Sequence, residues 1–216
     1  MLTRKRFLKY FAATVAAGTL ACPGSAFADE PTITRVEEDW RVEVSVPEPD
    51  DHAPQIITTI SPRGDLEREF AIFELNHSTQ PEYLPGGMQL QGWYRDVPLE
   101  LRNTPKTELL RHDGEVVTYT AAMRLDDDRL TFEIINGTSE TWGLFGGQGY
   151  LKFQRVTTLS NLSGYKPEVS VANSRIGFAS HRVLKLVLTE VRYYSDDALE
   201  VTDETDRVVH VYQPAK

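Results

Sequence analysis

Large apolar residues recur at every second position through most of this chain, and that spacing restricts the fold to sheet. Side chains alternate faces along a strand, so a period of two buries one face and wets the other. Trp40, Val42, Val44 and Val46 alternate with Arg41, Glu43 and Ser45, and Pro47-Glu48-Pro49-Asp50-Asp51 ends the run, because proline cannot donate to a ladder. Ile56 to Ile60 reads as a second strand, closed by Ser61-Pro62-Arg63-Gly64. Phe70 to Leu75 is apolar at nearly every residue, as in a central strand covered on both faces. Val117, Tyr119, Ala121, Met123 and Leu125, then Leu130, Phe132 and Ile134, form a hairpin pattern joined by Asp126-Asp127-Asp128; Asp favours turns by bonding nearby amides. Further strands are expected at Tyr150–Val156, Val183–Tyr194, Ala198–Val201 and Val208–Tyr212.

Helix signals are thin. Thr104-Pro105-Lys106-Thr107-Glu108 has a capping residue before a first-turn proline and predicts one helical turn, stopped by Gly114. Two long connections remain, Pro81–Arg111 and Thr158–His181. About ten strands without repeated helical periodicity predict an all-β fold, a two-sheet antiparallel sandwich or a barrel. In strand number and spacing the chain resembles concanavalin-type jelly rolls, which implies long loops crossing the ends of a sandwich. That resemblance implies a fold and no activity.

The N-terminus has the three-part build of an export signal. Arg4, Lys5, Arg6 and Lys9 form a basic head, Tyr10–Ala21 a mildly apolar stretch, and Ala26-Phe27-Ala28 a small-x-small cleavage pattern. The apolar stretch is too short to span a bilayer core of about 30 Å. Thr3-Arg4-Lys5-Arg6-Phe7-Leu8-Lys9 resembles the twin-arginine export motif, with Lys5 in place of its second arginine. Thr19-Leu20-Ala21-Cys22 loosely resembles a lipobox, with Thr19 where an aliphatic residue is usual. The expectation is a signal peptide over 1–28 and one domain over 29–216, placed in the periplasm, on the cell surface or outside the cell.

Cleavage after Ala28 would remove Cys22, the single cysteine, and four of the 23 basic residues, leaving 19 against 32 acidic ones. Such a domain is stabilised by its core rather than by disulfides, and has no thiolate chemistry or Cys-bound metal. Its acidity disfavours nucleic acid and anionic membranes as partners.

Candidate sites follow from residue types near turns. The glycine-rich stretch Asn136 to Gly149 combines two large rings, Trp142 and Phe145, with the hydrogen-bonding side chains of Asn136, Glu140 and Gln148. Sugars need that pairing, a flat apolar surface for their C–H face and amide or carboxylate groups for their hydroxyls. The alternative is that the glycines permit positive φ while Trp142 packs into the core. Trp93, beside Tyr94, is a second stacking candidate; in a strand one of these two rings faces outward. Glu74 and His77 have the E-x-x-H spacing, but on a strand they point to opposite faces, which removes a shared metal. Asp126-Asp127-Asp128 and Asp203-Glu204-Asp206 offer hard oxygen ligands without the spacing of a known calcium loop, so no cofactor is expected and calcium is a minor option. His52, His112, His181 and His210 are scattered, and neither G-x-S-x-G nor H-E-x-x-H occurs. Asn76-His77-Ser78, Asn136-Gly137-Thr138 and Asn161-Leu162-Ser163 are formal glycosylation sequons that fit common exported β-domain composition.

These features favour an exported, non-enzymatic domain that binds polysaccharide or a cell-surface component. Two alternatives are an extracellular glycosidase-like hydrolase using a carboxylate pair, and a structural component of the cell envelope.

Overall fold

Alternation becomes two antiparallel sheets in the computed structural model, which describes residues 31–45, 54–76, 87–110 and 112–213. Residues 1–30, with the expected export signal and Cys22, and residues Pro47–Asp51, His52 and His77 lie outside the described residues. The strands are β1 (Arg35–Val44), β2 (Gln55–Ile60), β3 (Glu69–Leu75), β4 (Met88–Tyr94), β5 (Val97–Asn103), β6 (Val116–Asp126), β7 (Arg129–Ser139), β8 (Gly143–Phe145), β9 (Lys152–Val156), β10 (Arg175–Phe178), β11 (Val183–Ser195), β12 (Ala198–Asp203) and β13 (Arg207–Val211). Among the described residues one α-helix, α1 (Pro167–Asn173), precedes β10, and a single 3-10 turn (Ser180–Arg182) follows it.

The larger sheet runs β12-β11-β1-β6-β7-β8, with β13 also on β11 and β9 also on β7; the smaller runs β10-β2-β3-β4-β5. Both are open, so the fold is a sandwich and not a barrel. Their inner faces meet in one apolar layer that includes Trp40 and Val42 from β1, Met123 from β6, Phe73 and Leu75 from β3, and Leu90 from β4. Phe73 meets Tyr119 edge to face at 4.9 Å, and the Tyr119 hydroxyl bonds Thr58 Oγ1 at 2.8 Å, joining the two sheets through their core. Gly92 lies where any Cβ would come within 2.7 Å of the Phe153 ring, so β4 can approach β9 only without a side chain there.

Three expectations are corrected. The Pro81–Arg111 connection holds two strands, β4 and β5. Pro98 had hidden β5, and it is tolerated because β5 is an edge strand. Thr104–Glu108 is not helical: Thr104 N bonds Met88 O at 3.1 Å and Gly87 N bonds Glu108 O at 3.1 Å, so the segment runs extended beside β4. Thr104 Oγ1 still accepts from Lys106 N at 2.9 Å, a local turn with no helix after it. The helix lies instead in the Thr158–His181 connection, where Pro167 occupies the first turn of α1.

Candidate functional site

The glycine-rich stretch folds inward. Trp142 is 3% exposed and Phe145 2%, and their rings meet edge to face at 6.3 Å. Trp142 Nε1 donates to Glu108 O at 2.8 Å, and Lys106 Nζ donates to Trp142 O. A Cβ on Gly137 would meet the Phe145 ring at 2.2 Å, so this glycine admits a core ring. Gly146 adopts φ +80° against Ile134 O. Trp142 and Phe145 are therefore corrected from a stacking surface to core residues: burying two large rings outweighs leaving them in water. Asn136, Glu140 and Gln148 are exposed. Asn136 Oδ1 accepts from Thr120 Oγ1 at 2.9 Å, and Glu140 lies 3.4 Å from His112 Nδ1. With both rings withdrawn, neither Trp142 nor Phe145 presents a face to solvent.

Trp93 stands elsewhere, on the outer face of the smaller sheet. Register sets side chains on that face in rows. Arg175, Ile57, Glu74, Gln89 and Asn103 lie opposite one another across β10, β2, β3, β4 and β5. The next row is Thr59, Ile72, Gln91 and Leu101, and a third pairs Phe70 with Trp93. Directly opposed residues share a face, so these side chains form one surface. All of them but Gln89, Leu101 and Asn103 line a cleft of about 460 Å³, with Arg95 and Asp96 at the β4–β5 turn and Asn173 at the end of α1. Trp93 is half-buried and lies parallel to Phe70, 11° apart with ring centres at 6.3 Å.

A chain of amides holds this surface. Trp93 Nε1 donates to Gln91 Oε1 at 2.9 Å, Gln91 Nε2 to Gln89 Oε1 at 2.7 Å, and Gln89 Nε2 to Asn103 Oδ1 at 2.8 Å. An indole nitrogen only donates, so the Gln91 oxygen must face Trp93 and each later amide is turned the same way. The Gln91 amide also bonds Glu74, and Gln55 Nε2 lies 3.4 Å from Glu74 Oε2. Glu74 is buried, and desolvation raises its pKa above the ordinary 4.5, opposed by the two glutamine bonds and by Arg175. A carboxyl with a raised pKa in a cleft is a mark of a functional site. The polar and aromatic rhythm of Gln89, Gln91 and Trp93 between Met88, Leu90 and Gly92 was a readable sign of this face. Gln55, Asn173 and Arg175 had no such sign, since only sheet pairing brings them beside β3.

Glu38 also has an unusual environment. It is fully buried, accepting from Trp40 Nε1 at 2.9 Å, Tyr165 Oη at 2.8 Å and Ser170 Oγ. Burial pushes its pKa up to about 7 against those three bonds. It ties β1 to α1 and to the segment before it, inside the core and away from the cleft's aromatic end. Among the described residues no three His, Cys, Asp or Glu side chains converge as a metal site. The Asp126–Asp128 turn and Asp203 carry arginine partners, Arg124 at 2.8 Å from Asp126 and Arg207 beside Asp203.

No family model matches the sequence, and no curated protein matches it. Among solved structures it is similar to scytalido-glutamic peptidase crystallised with a transition-state analogue inhibitor, at 11% identity and a TM-score of 0.32, covering 81% of this chain and 82% of that one.

Proposed function

We propose that the protein is an exported, non-catalytic β-sandwich that binds polysaccharide in the cleft on the outer face of its smaller sheet. The observation that carries this is Trp93: its ring is half-buried, braced by Phe70 and oriented by Gln91, beside a wall of amides and a carboxyl. A fixed flat ring meets the apolar face of a sugar, and the neighbouring amides and carboxyl serve its hydroxyls. Export to the periplasm, cell surface or medium belongs to this proposal and rests on the leader pattern. Among the described residues no helix is long and apolar enough to cross a membrane.

Hydrolysis is the weaker reading on geometric grounds. Paired carboxylates in glycosidases stand about 5–9.5 Å apart. Asp96 lines the same cleft as Glu74, but Tyr94 pairs with Glu69 at the far end of β3. Five strand residues separate that row from Glu74, roughly 17 Å.

Affinity electrophoresis or a glycan array, comparing the unaltered protein with Trp93→Ala, tests the proposal. Retarded migration or array signal in the unaltered protein should fall at least about tenfold in the variant, as for a central aromatic anchor. Polysaccharide binding unaffected by Trp93→Ala, or no binding at all, overturns it. N-terminal sequencing of protein recovered outside the cytoplasm tests export, with Asp29 the expected first residue.

A further inference from the structure

The cleft is chemically asymmetric along the strands. Its Trp93 end is aromatic, while its far end brings together Arg175 and Glu74 with Ile57 between them in a single register row. Strands lie about 4.8 Å apart, so the Cα atoms of Arg175 and Glu74 are separated by roughly two strand spacings, leaving room for a small group above Ile57. Asn173 and Thr59 flank this space, and both line the cleft. Their backbones are tied together, with Thr59 Oγ1 donating to Asn173 O at 3.0 Å and Thr59 N donating to Ser174 Oγ at 3.1 Å. The position of α1 against β2 therefore fixes Asn173 and the start of β10.

The donor pattern indicates what belongs there. The Gln91 and Gln55 amides point hydrogens at Glu74, so its protein neighbours occupy acceptor positions on the carboxyl. When Glu74 is protonated its own O–H has no need of those amides and is available as a donor. A guanidinium offers paired N–H groups in a fork that matches a carboxylate. We infer that the cleft takes a polysaccharide bearing carboxylates, a polyuronate, with one carboxylate held between Arg175 and the Glu74 carboxyl and a ring farther along the same sugar chain stacked on Trp93, four strand residues or about 13 Å from the Glu74 row. This rests on the polysaccharide reading of the cleft and names its ligand class.

The setting sharpens selectivity. The sequence carries a net charge of −9, which repels polyanions in general, so an acidic chain is retained only where a local cation meets it. Among the described residues, the charged group acting on Glu74 is Arg175 of β10, while β2 and β4 face it with the neutral Gln55 and Gln91. Glu74 protonation and carboxylate binding should therefore favour one another.

Calorimetric titration at pH 5.5 and pH 8 with oligogalacturonate, cellohexaose and free galacturonic acid tests the inference, using the unaltered protein, Arg175→Gln and Glu74→Gln. Arg175 is exposed, so its replacement should leave folding intact, checked by circular dichroism. The expected result is oligogalacturonate binding at least about tenfold tighter than cellohexaose, tighter at pH 5.5 than at pH 8. Arg175→Gln should abolish that preference while weak cellohexaose binding persists. Glu74→Gln, a permanent neutral donor, should keep the preference and remove the pH dependence. Equal binding of acidic and neutral oligomers, or indifference to Arg175→Gln, overturns the inference and leaves the cleft a neutral-glycan site. Free galacturonic acid binding as tightly as the oligomer overturns the polymeric ligand. If neither oligomer binds, the polysaccharide reading falls and this inference with it.

Discussion

The two sheets turn unlike faces away from their shared core. On the larger sheet, charge answers charge. Arg192 bonds Glu37 at 3.0 Å and Asp39 at 2.6 and 2.9 Å, and also meets Glu190. Arg35 pairs with Glu37 at 3.4 Å, Arg124 with Asp126 at 2.8 Å, and Lys152 with Glu133 at 2.9 Å. The outer face of the smaller sheet carries amides, aromatic rings, the Glu74 carboxyl and Arg175 at its edge, and its Gln89, Gln91, Gln55 and Glu74 are all buried. Abundant charge proves a poor guide to a site here. Where ions neutralise one another in place, little is left to recognise a ligand. Neutral groups held in a directed chain retain unused donors and acceptors, and a carboxyl served only by neutral donors becomes sensitive to protons.

The largest effect that separates the neutrally bonded carboxyls from the ion-paired face should come from pH. Glu38 and Glu74, both bonded by neutral donors, have folded-state pKa values raised by burial, Glu38 to about 7 from 4.5. The folded protein thus holds these protons more tightly than the unfolded chain. For Glu38 that stabilisation is fully present below about pH 4.5 and is lost as pH rises through about 7, and Glu74 adds a loss of the same sign. For Glu38 the loss is on the order of 3 kcal/mol. Urea denaturation from pH 4.5 to 8 should show the decline, and Glu38→Gln should flatten most of it. A pH profile unchanged in that variant would mean that Glu38 is not the titrating group.

Next in size is Gln91→Ala. It strips the Trp93 indole, the Gln89 oxygen and Glu74 of a partner at once, and leaving buried polar groups unsatisfied costs about 1–3 kcal/mol. Chemical denaturation should report that loss, accompanied by weaker glycan binding as Trp93 loses its orientation. On the opposite face Arg192→Leu should cost roughly 2 kcal/mol, because Glu37, Asp39 and Glu190 are left facing one another half in water. It should leave oligosaccharide affinity unchanged; a binding defect there would place the ligand on the wrong sheet. Smallest of all, Lys152→Ala removes a half-exposed pair with Glu133 and should shift stability by less than about 0.5 kcal/mol, within the error of most melts.

Much of the sandwich was legible because strand periodicity is local. The alternation at Trp40–Val44, the apolar run at Phe70–Leu75 and the aspartate turn at 126–128 correspond to β1, β3 and the β6–β7 hairpin. Asp127 supplies the positive φ, 51°, that the turn requires. Edge elements were harder to see. β5 carries Pro98 and pairs on one side only, while β8 and β10 have three and four residues, so each contributes little pattern of its own.

The candidate site divides along the same line. Residue order alone settled the class of fold, since a period of two admits sheet and little else, and it singled out Trp93 as a candidate ring while leaving it in a long connection. It left open whether Trp142 and Phe145 face water or core. Their inward packing depends on Gly137 and on the carbonyl of Glu108, partners that only the folded chain brings near. The row joining Arg175, Ile57, Glu74 and Gln89 likewise spans four strands drawn from residues 57 to 175. Which side chains share a face is written in each strand; which strands lie side by side is decided when the sheets assemble, by pairing between segments far apart in the chain.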